Sequence, residues 1–134
     1  MEQQDYLQRI IDQFGRTLGK VSSFLLGLKS QGKMADEIEM TNQVLKGELD
    51  LDIRELTNIQ NENFIKTLKA KKGFNNENLE KLADILLFIA ENGSDKDKSR
   101  LYEKCLMIYE YLEKAENVYS LIRQEKIEQI KNIL

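Results

Sequence analysis

An uninterrupted heptad pattern of apolar residues near the start of the chain constrains the fold more than any other feature. The apolar positions are separated alternately by four and three residues, and they are Leu7, Ile11, Phe14, Leu18, Val21, Leu25 and Leu28. This spacing predicts one long amphipathic α-helix. We predict that it spans residues 4–29 and ends at Ser30-Gln31-Gly32, where Gly32 supplies a left-handed cap.

The rest of the chain carries the same helical signature. It contains no Pro, and its abundant Leu, Ile, Glu, Lys and Gln favour helices. Asp52-x-x-Glu55 resembles a capping box that starts one or two helical turns, and Gly47 is expected to stop the helix before it. Capped segments of helical periodicity predict further helices at about 34–46, 62–71, 77–92, 98–116 and 121–133, the last carrying Ile122, Ile127, Ile130 and Leu134 on its apolar side. The sequence therefore predicts an all-α protein.

The length of 134 residues is near the commonest size of one domain, and no Pro-, Gly- or Ser-rich linker interrupts the chain. We therefore predict a single all-helical domain over residues 1–134. Its parts are a long N-terminal helix in 1–32, middle helices in 33–76, and a helical hairpin with a C-terminal helix in 77–134.

Composition excludes several kinds of site. The chain has no His, which removes Ser-His-Asp triads and most zinc sites. Its single cysteine, Cys105, lies between Leu101 and Ile108 on an apolar helix face and is expected to be buried rather than nucleophilic. The net charge of −3 argues against a nucleic-acid-binding protein. A lone cysteine, a polar N-terminus unlike a signal peptide and the lack of a long apolar run predict a cytoplasmic protein.

Two segments come close to ligand-binding motifs without completing them. The segment from Gly27 through Gly32-Lys33 resembles a phosphate-binding loop, but Met34 stands where the motif needs a hydroxyl to hold magnesium. The segment Asp95-x-Asp97-x-Ser99 copies the first ligands of a calcium loop, but its sixth and twelfth positions do not fit. We read both as helix-terminal residues and expect no metal and no cofactor.

Two charged clusters have both a structural and a functional interpretation. The acidic cluster consists of Glu48, Asp50, Asp52 and Glu55, and it is either a solvated loop or a site for a hard cation. The basic run consists of Lys66, Lys69, Lys71 and Lys72, and it either complements a helix dipole or contacts phosphate. We favour the structural interpretation of both and expect no nucleic acid.

The segment from Leu82 to Asn117 resembles a tetratricopeptide-repeat hairpin. The matching positions are Leu82, Leu86 and Ile89 in its first helix, Gly93 at the turn, and Tyr102, Cys105, Tyr109 and Leu112 in its second helix. The segment departs from the repeat in a longer turn, in the missing Trp and first-helix Gly, and in Asn117 where the repeat closes with Pro. The opening residues 4–11 also resemble the start of a family of short uncharacterised bacterial proteins. Both resemblances imply a fold and no activity.

These features favour a non-enzymatic protein-interaction or scaffold protein. The candidate interaction residues are Leu7, Ile11, Phe14, Leu18, Val21 and Leu25 on the first helix, and Tyr102 and Tyr109 on the hairpin. The first helix is expected to bury its apolar seam against protein, either in a homodimer or under the later helices of its own chain. One alternative is a membrane-peripheral protein that uses the amphipathic helix 4–29. Another is an enzyme using carboxylate and Lys chemistry, which no motif supports.

Overall fold

The heptad pattern forms one long helix, α1, over Glu2–Ser30. A computed structural model describes residues 2–32, 37–93, 96 and 98–134 of the chain. Helix α1 ends as predicted, because Gly32 adopts a positive φ of 69° and its amide donates to the carbonyl of Lys29. The predicted long N-terminal helix is confirmed.

Three shorter helices follow: α2 over Glu37–Leu49, α3 over Ile53–Asn58 and α4 over Asn61–Lys69. The prediction that Gly47 stops the second helix is wrong. Leu45 and Leu49 lie one turn apart and are both buried, so packing outweighs the cost of about 1 kcal/mol for a helical Gly. The predicted start of that helix at Met34 lies outside the described residues.

The C-terminal half consists of α5 over Asn76–Asn92, α6 over Lys98–Ala115 and α7 over Leu121–Ile133. These bounds agree with the predicted ones to within one residue. Asp95 and Asp97 of the near-match to a calcium loop lie outside the described part of the chain. Within the described part every regular element is a helix, which confirms the all-α class.

Helices α5, α6 and α7 pack as a consecutive antiparallel set. The hydroxyl of Tyr109 on α6 reaches Asp84 of α5, whereas Tyr102, earlier on α6, lies near Glu91, later on α5. Arg123 at the start of α7 pairs with Glu113, whereas Lys131 near its end pairs with Glu110, earlier on α6. Helix α1 instead runs in the same direction as α5. The carbonyl of Ile11 accepts from Asn78 near the start of α5, and Lys29 lies over the ring of Phe88 near its end. Buried apolar residues from all seven helices form one cluster.

The short helices α3 and α4 are held on α6 by a buried lysine. Lys104 is 2% exposed, and its Nζ donates to the carbonyl of Ile59 at 2.5 Å and to Asn61 Oδ1 at 2.7 Å. The same Nζ lies 4.7 Å from the ring centroid of Phe64. Burial lowers the pKa of Lys104. These contacts satisfy the ammonium with backbone, amide and ring partners.

Candidate interaction surface

Most of the interaction residues predicted from the sequence lie in the core of the chain itself. Leu7 is 38% exposed and Ile11 is partly buried. The other six are buried: Phe14, Leu18, Val21, Leu25, Tyr102 and Tyr109. Helices α2 and α5 cover the seam from Phe14 onward, which is the intramolecular alternative that the sequence left open.

The two hairpin tyrosines are structural in the same way. The Tyr109 hydroxyl donates to Asp84 Oδ1 at 2.5 Å, while the ammonium of Lys126 lies 5.6 Å from the centroid of its ring. Burial raises the pKa of Tyr109 and, less strongly, that of Tyr102. Both side chains therefore join α5 to α6 rather than line an open surface.

The lone cysteine is also a core residue. The Cys105 thiol is fully buried and lies 3.5 Å from the carbonyl of Ala83. Burial raises its pKa well above the ordinary value, which disfavours the reactive thiolate.

Two members of the acidic cluster are engaged in ion pairs within the chain. Glu48 pairs with Lys20 at 3.0 Å, and that contact lowers the pKa of Glu48. Asp52 pairs with Lys46 at 2.8 Å and also accepts from the first amides of α3. In the described part of the chain, no three His, Cys, Asp or Glu residues are grouped so as to hold a metal ion.

The basic run is divided between internal contacts and solvent. Lys69 contacts the hydroxyl of Tyr111, and Lys71 Nζ donates to the carbonyl of Asp50 at 3.2 Å. Lys66 and Lys72 are exposed. Because half of the run serves packing, it does not form a continuous basic patch.

The spacing Gly15-x-x-x-Gly19 brings α1 close to its neighbour only at the first glycine. A β-carbon at Gly15 would lie 3.2 Å from Asn78 Oδ1, whereas one at Gly19 would meet nothing within 4 Å. The groove beside Gly15 has a volume of about 390 Å³ and is lined by both acidic and basic side chains, among them Asp12, Arg16, Glu77 and Lys81. Its charges oppose one another, so the groove favours neither an anion nor a cation.

A cluster of exposed apolar side chains lies where α6 gives way to α7. We call it the apolar corner, and its members are Val118 (72% exposed), Tyr119 (69%), Leu121 (61%) and Ile122 (68%). Four large apolar side chains within five residues thus remain in solvent, although α7 buries Ile127 and Ile130 further along. Contiguous exposure of this kind marks an interaction site more often than single exposed residues do.

The apolar corner is held in place by a buried arginine. Arg123 directly follows Ile122, is 3% exposed, and binds carboxylates from two other helices. Its Nε and Nη2 bind the two Glu80 oxygens at 3.1 and 2.9 Å, and its Nη1 binds Glu113 Oε1 at 3.0 Å. Nη2 also reaches both oxygens of Glu116, at 3.5 and 3.4 Å. The hydrogen bonds to Glu80 contribute most to raising the pKa of Arg123.

A helix cap completes the anchoring of this corner. The Ser120 hydroxyl accepts from the Arg123 amide at 3.2 Å, which fixes the first turn of α7. Cap and arginine together fix Leu121 and Ile122 on the first turn of α7, and Val118 and Tyr119 lie in the segment directly before it.

The sequence interpretation missed this surface. It placed Ile122 and Leu134 on the apolar side of α7, but they are 68% and 52% exposed. Arg123 occupies the buried position instead, because it forms ion pairs there with three carboxylates. A signal was available, since four large apolar residues fall within five positions at 118, 119, 121 and 122, across the predicted break between the last two helices.

In the described ranges, no helix is long and apolar enough to cross a membrane. Comparison of the chain with protein-family models, with curated proteins and with solved structures finds no match.

Proposed function

We propose that this chain is a non-enzymatic protein-interaction protein whose partner binds the apolar corner. The observation that carries the proposal is the exposure of Val118, Tyr119, Leu121 and Ile122 at and just before the capped first turn of α7. Burying such side chains contributes roughly 1.5–3 kcal/mol each, which is enough for a small interface to hold a partner. Tyr119 adds a hydroxyl at the end of an apolar ring, a combination enriched in interfaces.

The competing functions draw on weaker features. A membrane-peripheral role through helix 4–29 would use the apolar face of α1, but that face is buried from Phe14 to Leu28. A homodimer through the same seam would compete with α2 and α5 for it. For an enzyme using carboxylate and Lys chemistry, such side chains do meet in the groove beside Gly15, but no sequence motif assigns them a reaction, and Lys104 and Arg123 are occupied in structural networks.

We further propose that the protein is cytoplasmic and that it is related to both families that its sequence resembles. Helices α1, α5 and α7 run in the same direction. Along α1 and α5 the successive contacts are Ile11 with Asn78 and Lys29 with Phe88, and along α5 and α7 they are Glu80 with Arg123 and Asp84 with Lys126. Stacked helical repeats also set equivalent helices side by side in one direction, which supports kinship with a tetratricopeptide-like hairpin. The bacterial family is proposed from residues 4–11 alone.

Site-specific photo-crosslinking in the source cell tests the function. A photoreactive phenylalanine at position 119 is expected to give a discrete crosslinked species, and the added substitution Ile122→Ser should abolish it. The matched control carries the same group at Leu26, which is 59% exposed on α1 and outside the corner. Equal crosslinking from positions 119 and 26, or none from 119, would overturn the proposal.

A further inference from the structure

The groove beside Gly15 contains a buried amide whose oxygen lacks a partner within the chain. Asn78 on α5 is 2% exposed, and its Nδ2 donates to the carbonyls of Ile11 and Gly73 at 2.9 and 2.8 Å. Because both partners can only accept, these bonds fix which end of the amide is the oxygen. Among the described residues, no group donates a hydrogen bond to that Oδ1. A buried acceptor in this position needs a donor that the chain does not provide.

The missing side chain of Gly15 leaves space in front of this oxygen. A β-carbon at position 15 would lie 3.2 Å from Asn78 Oδ1 and 3.4 Å from Lys81 Nζ, so an acceptor and an ammonium both border the space. Gly15 lies inside α1, where glycine costs up to about 1 kcal/mol relative to Ala. The space forms part of a groove of about 390 Å³, a volume in the range of small-molecule sites.

The charged side chains that line the groove are balanced in sign. They are two acids and two bases, namely Asp12, Glu77, Arg16 and Lys81. Lys81 and Glu77 approach each other only to 3.7 Å, and their side chains are 39% and 76% exposed. Arg16 is exposed and forms no ion pair in the described part of the chain. It also borders a cleft with Glu48, but that carboxylate is already bound by Lys20 at 3.0 Å.

We infer that this groove binds a small zwitterion of the α-amino-acid class. The ammonium of the ligand donates to Asn78 Oδ1 and to Asp12, of which one oxygen already accepts from Gln8 at 2.8 Å. The carboxylate of the ligand binds Arg16 and Lys81 through charge-assisted hydrogen bonds. Ile11, which is partly buried in the same lining, offers an apolar contact to the ligand's side chain. This site is separate from the apolar corner, because no corner residue lines the groove.

Ligands that carry charge of only one sign fit the groove less well. An anion such as phosphate would meet Asp12 and Glu77, and it would leave the Asn78 oxygen without a donor. A metal cation would meet Arg16 and Lys81, and within the described ranges no three His, Cys, Asp or Glu residues are grouped to hold one. A zwitterion uses both signs of charge and the amide oxygen together.

Titration of the full chain with L-leucine, followed by two-dimensional amide NMR, tests the inference. The amides of residues 11–16 and 77–81 are expected to shift and to saturate at millimolar concentrations of the probe. N-acetyl-leucine, which lacks the ammonium, and leucine amide, which lacks the carboxylate, are the matched probes. Each is expected to bind at least about tenfold more weakly than L-leucine, because each loses charge-assisted hydrogen bonds.

Two substitutions locate the site, and each has a matched control on α1. Gly15→Ala places a methyl group beside Asn78 Oδ1 and should weaken leucine binding at least about tenfold, whereas Gly19→Ala meets nothing within 4 Å and should leave it unchanged. Arg16→Gln removes a partner of the carboxylate from an exposed position, so this variant keeps the fold even if Gly15→Ala does not. Its control is Arg9→Gln, which is also exposed but lies outside the lining.

Several results would overturn the inference. If N-acetyl-leucine binds as tightly as L-leucine, the groove is only an anion site, and if leucine amide does so, it is only a cation site. A titration with L-leucine that produces no saturable shift would mean that the groove binds no such ligand. Equal weakening by Arg16→Gln and Arg9→Gln would show that only the net charge of α1 matters. None of these results affects the crosslinking from position 119, so the proposed function stands or fails separately.

Discussion

The ring of Phe14 on α1 lies directly on the backbone of Gly73, so that a β-carbon at position 73 would be 2.2 Å from Phe14 Cδ1. The same ring meets Phe74 edge to face, with centroids 5.1 Å apart and planes at 87°. Position 73 therefore requires Gly because the Phe14 ring approaches its backbone closely. Its φ does not require Gly, because it is not in the left-handed region. This contact ties the first helix to the turn that precedes α5.

We expect Gly73→Ala to destabilise the fold by about 1–3 kcal/mol, because the added methyl must displace a buried ring. Urea denaturation measures the change. In a Phe14→Leu background the same substitution should cost clearly less, since the smaller side chain leaves room. Gly19→Ala is the matched control on α1, where the methyl meets open space and should stabilise by roughly 0.5–1 kcal/mol. Equal costs for Gly73→Ala in both backgrounds would contradict the proposed contact.

The sequence predicts features that depend on neighbouring residues, but it does not predict contacts between residues that are far apart in the chain. The heptad spacing of Leu18, Val21 and Leu25 predicted a buried helix face, and all three are buried. It did not predict what covers that face, because Phe14 meets Gly73 across some sixty residues of chain and no local pattern encodes that pairing.

The candidate site was missed for a related reason. The helical periodicity predicted that Ile122 is buried, but the buried residue is its neighbour Arg123. Arginine is rarely a core residue, and the burial of Arg123 becomes favourable only because Glu80 from α5, Glu113 from α6 and Glu116 just after α6 lie against it. A pattern read along one helix cannot include partners supplied by two others.

The second prediction concerns the buried Arg123. We expect Arg123→Met to lower the free energy of unfolding by about 3 kcal/mol, because it leaves three carboxylates facing one another without a cation. The value lies at the lower end of the usual range because these carboxylates remain partly exposed. Urea midpoints measure the loss.

A neighbouring cation on α7 provides the control for that prediction. Lys126 pairs with Asp84 at 2.9 Å, but both side chains are substantially exposed, so Lys126→Met should cost at most about 1 kcal/mol. Equal losses for the two variants would show that Arg123 acts only as one more surface charge.

The third prediction concerns Asp52, the N-cap of α3, and how its contribution to stability depends on pH. The hydrogen bond from Lys46 lowers the pKa of Asp52, and the amides of Arg54 and Glu55 add to the shift. Because the folded pKa is below the unfolded one, the unfolded state binds more protons in acid, and the stabilisation is present above the unfolded pKa of about 3.9. It is lost as the pH falls through the folded pKa.

Asp52→Asn keeps a capping oxygen and removes the charge. The wild-type chain should therefore be more stable than this variant at neutral pH, and the difference should vanish between about pH 5 and pH 2. Urea midpoints taken at several pH values measure it, with Glu62→Gln as an exposed acidic control. A difference that stays constant across that range would mean that the charge of Asp52 contributes nothing.

The last prediction concerns two buried threonines, one on α1 and one on α2. Thr41 is fully buried on α2, and its hydroxyl has no hydrogen-bond partner among the described residues. Thr17 is 4% exposed on α1, and its hydroxyl contributes, after the ammonium of Lys20, to the lowered pKa of Glu48. An unpaired buried hydroxyl opposes folding, so we expect Thr41→Val to raise the free energy of unfolding by up to about 1 kcal/mol, because the two side chains have nearly the same shape. Thr17→Val removes a hydroxyl that is satisfied and should lower stability. Thermal melts of the two variants compare a like change at paired and unpaired sites, and shifts of the same sign would show that hydrogen bonding does not distinguish them.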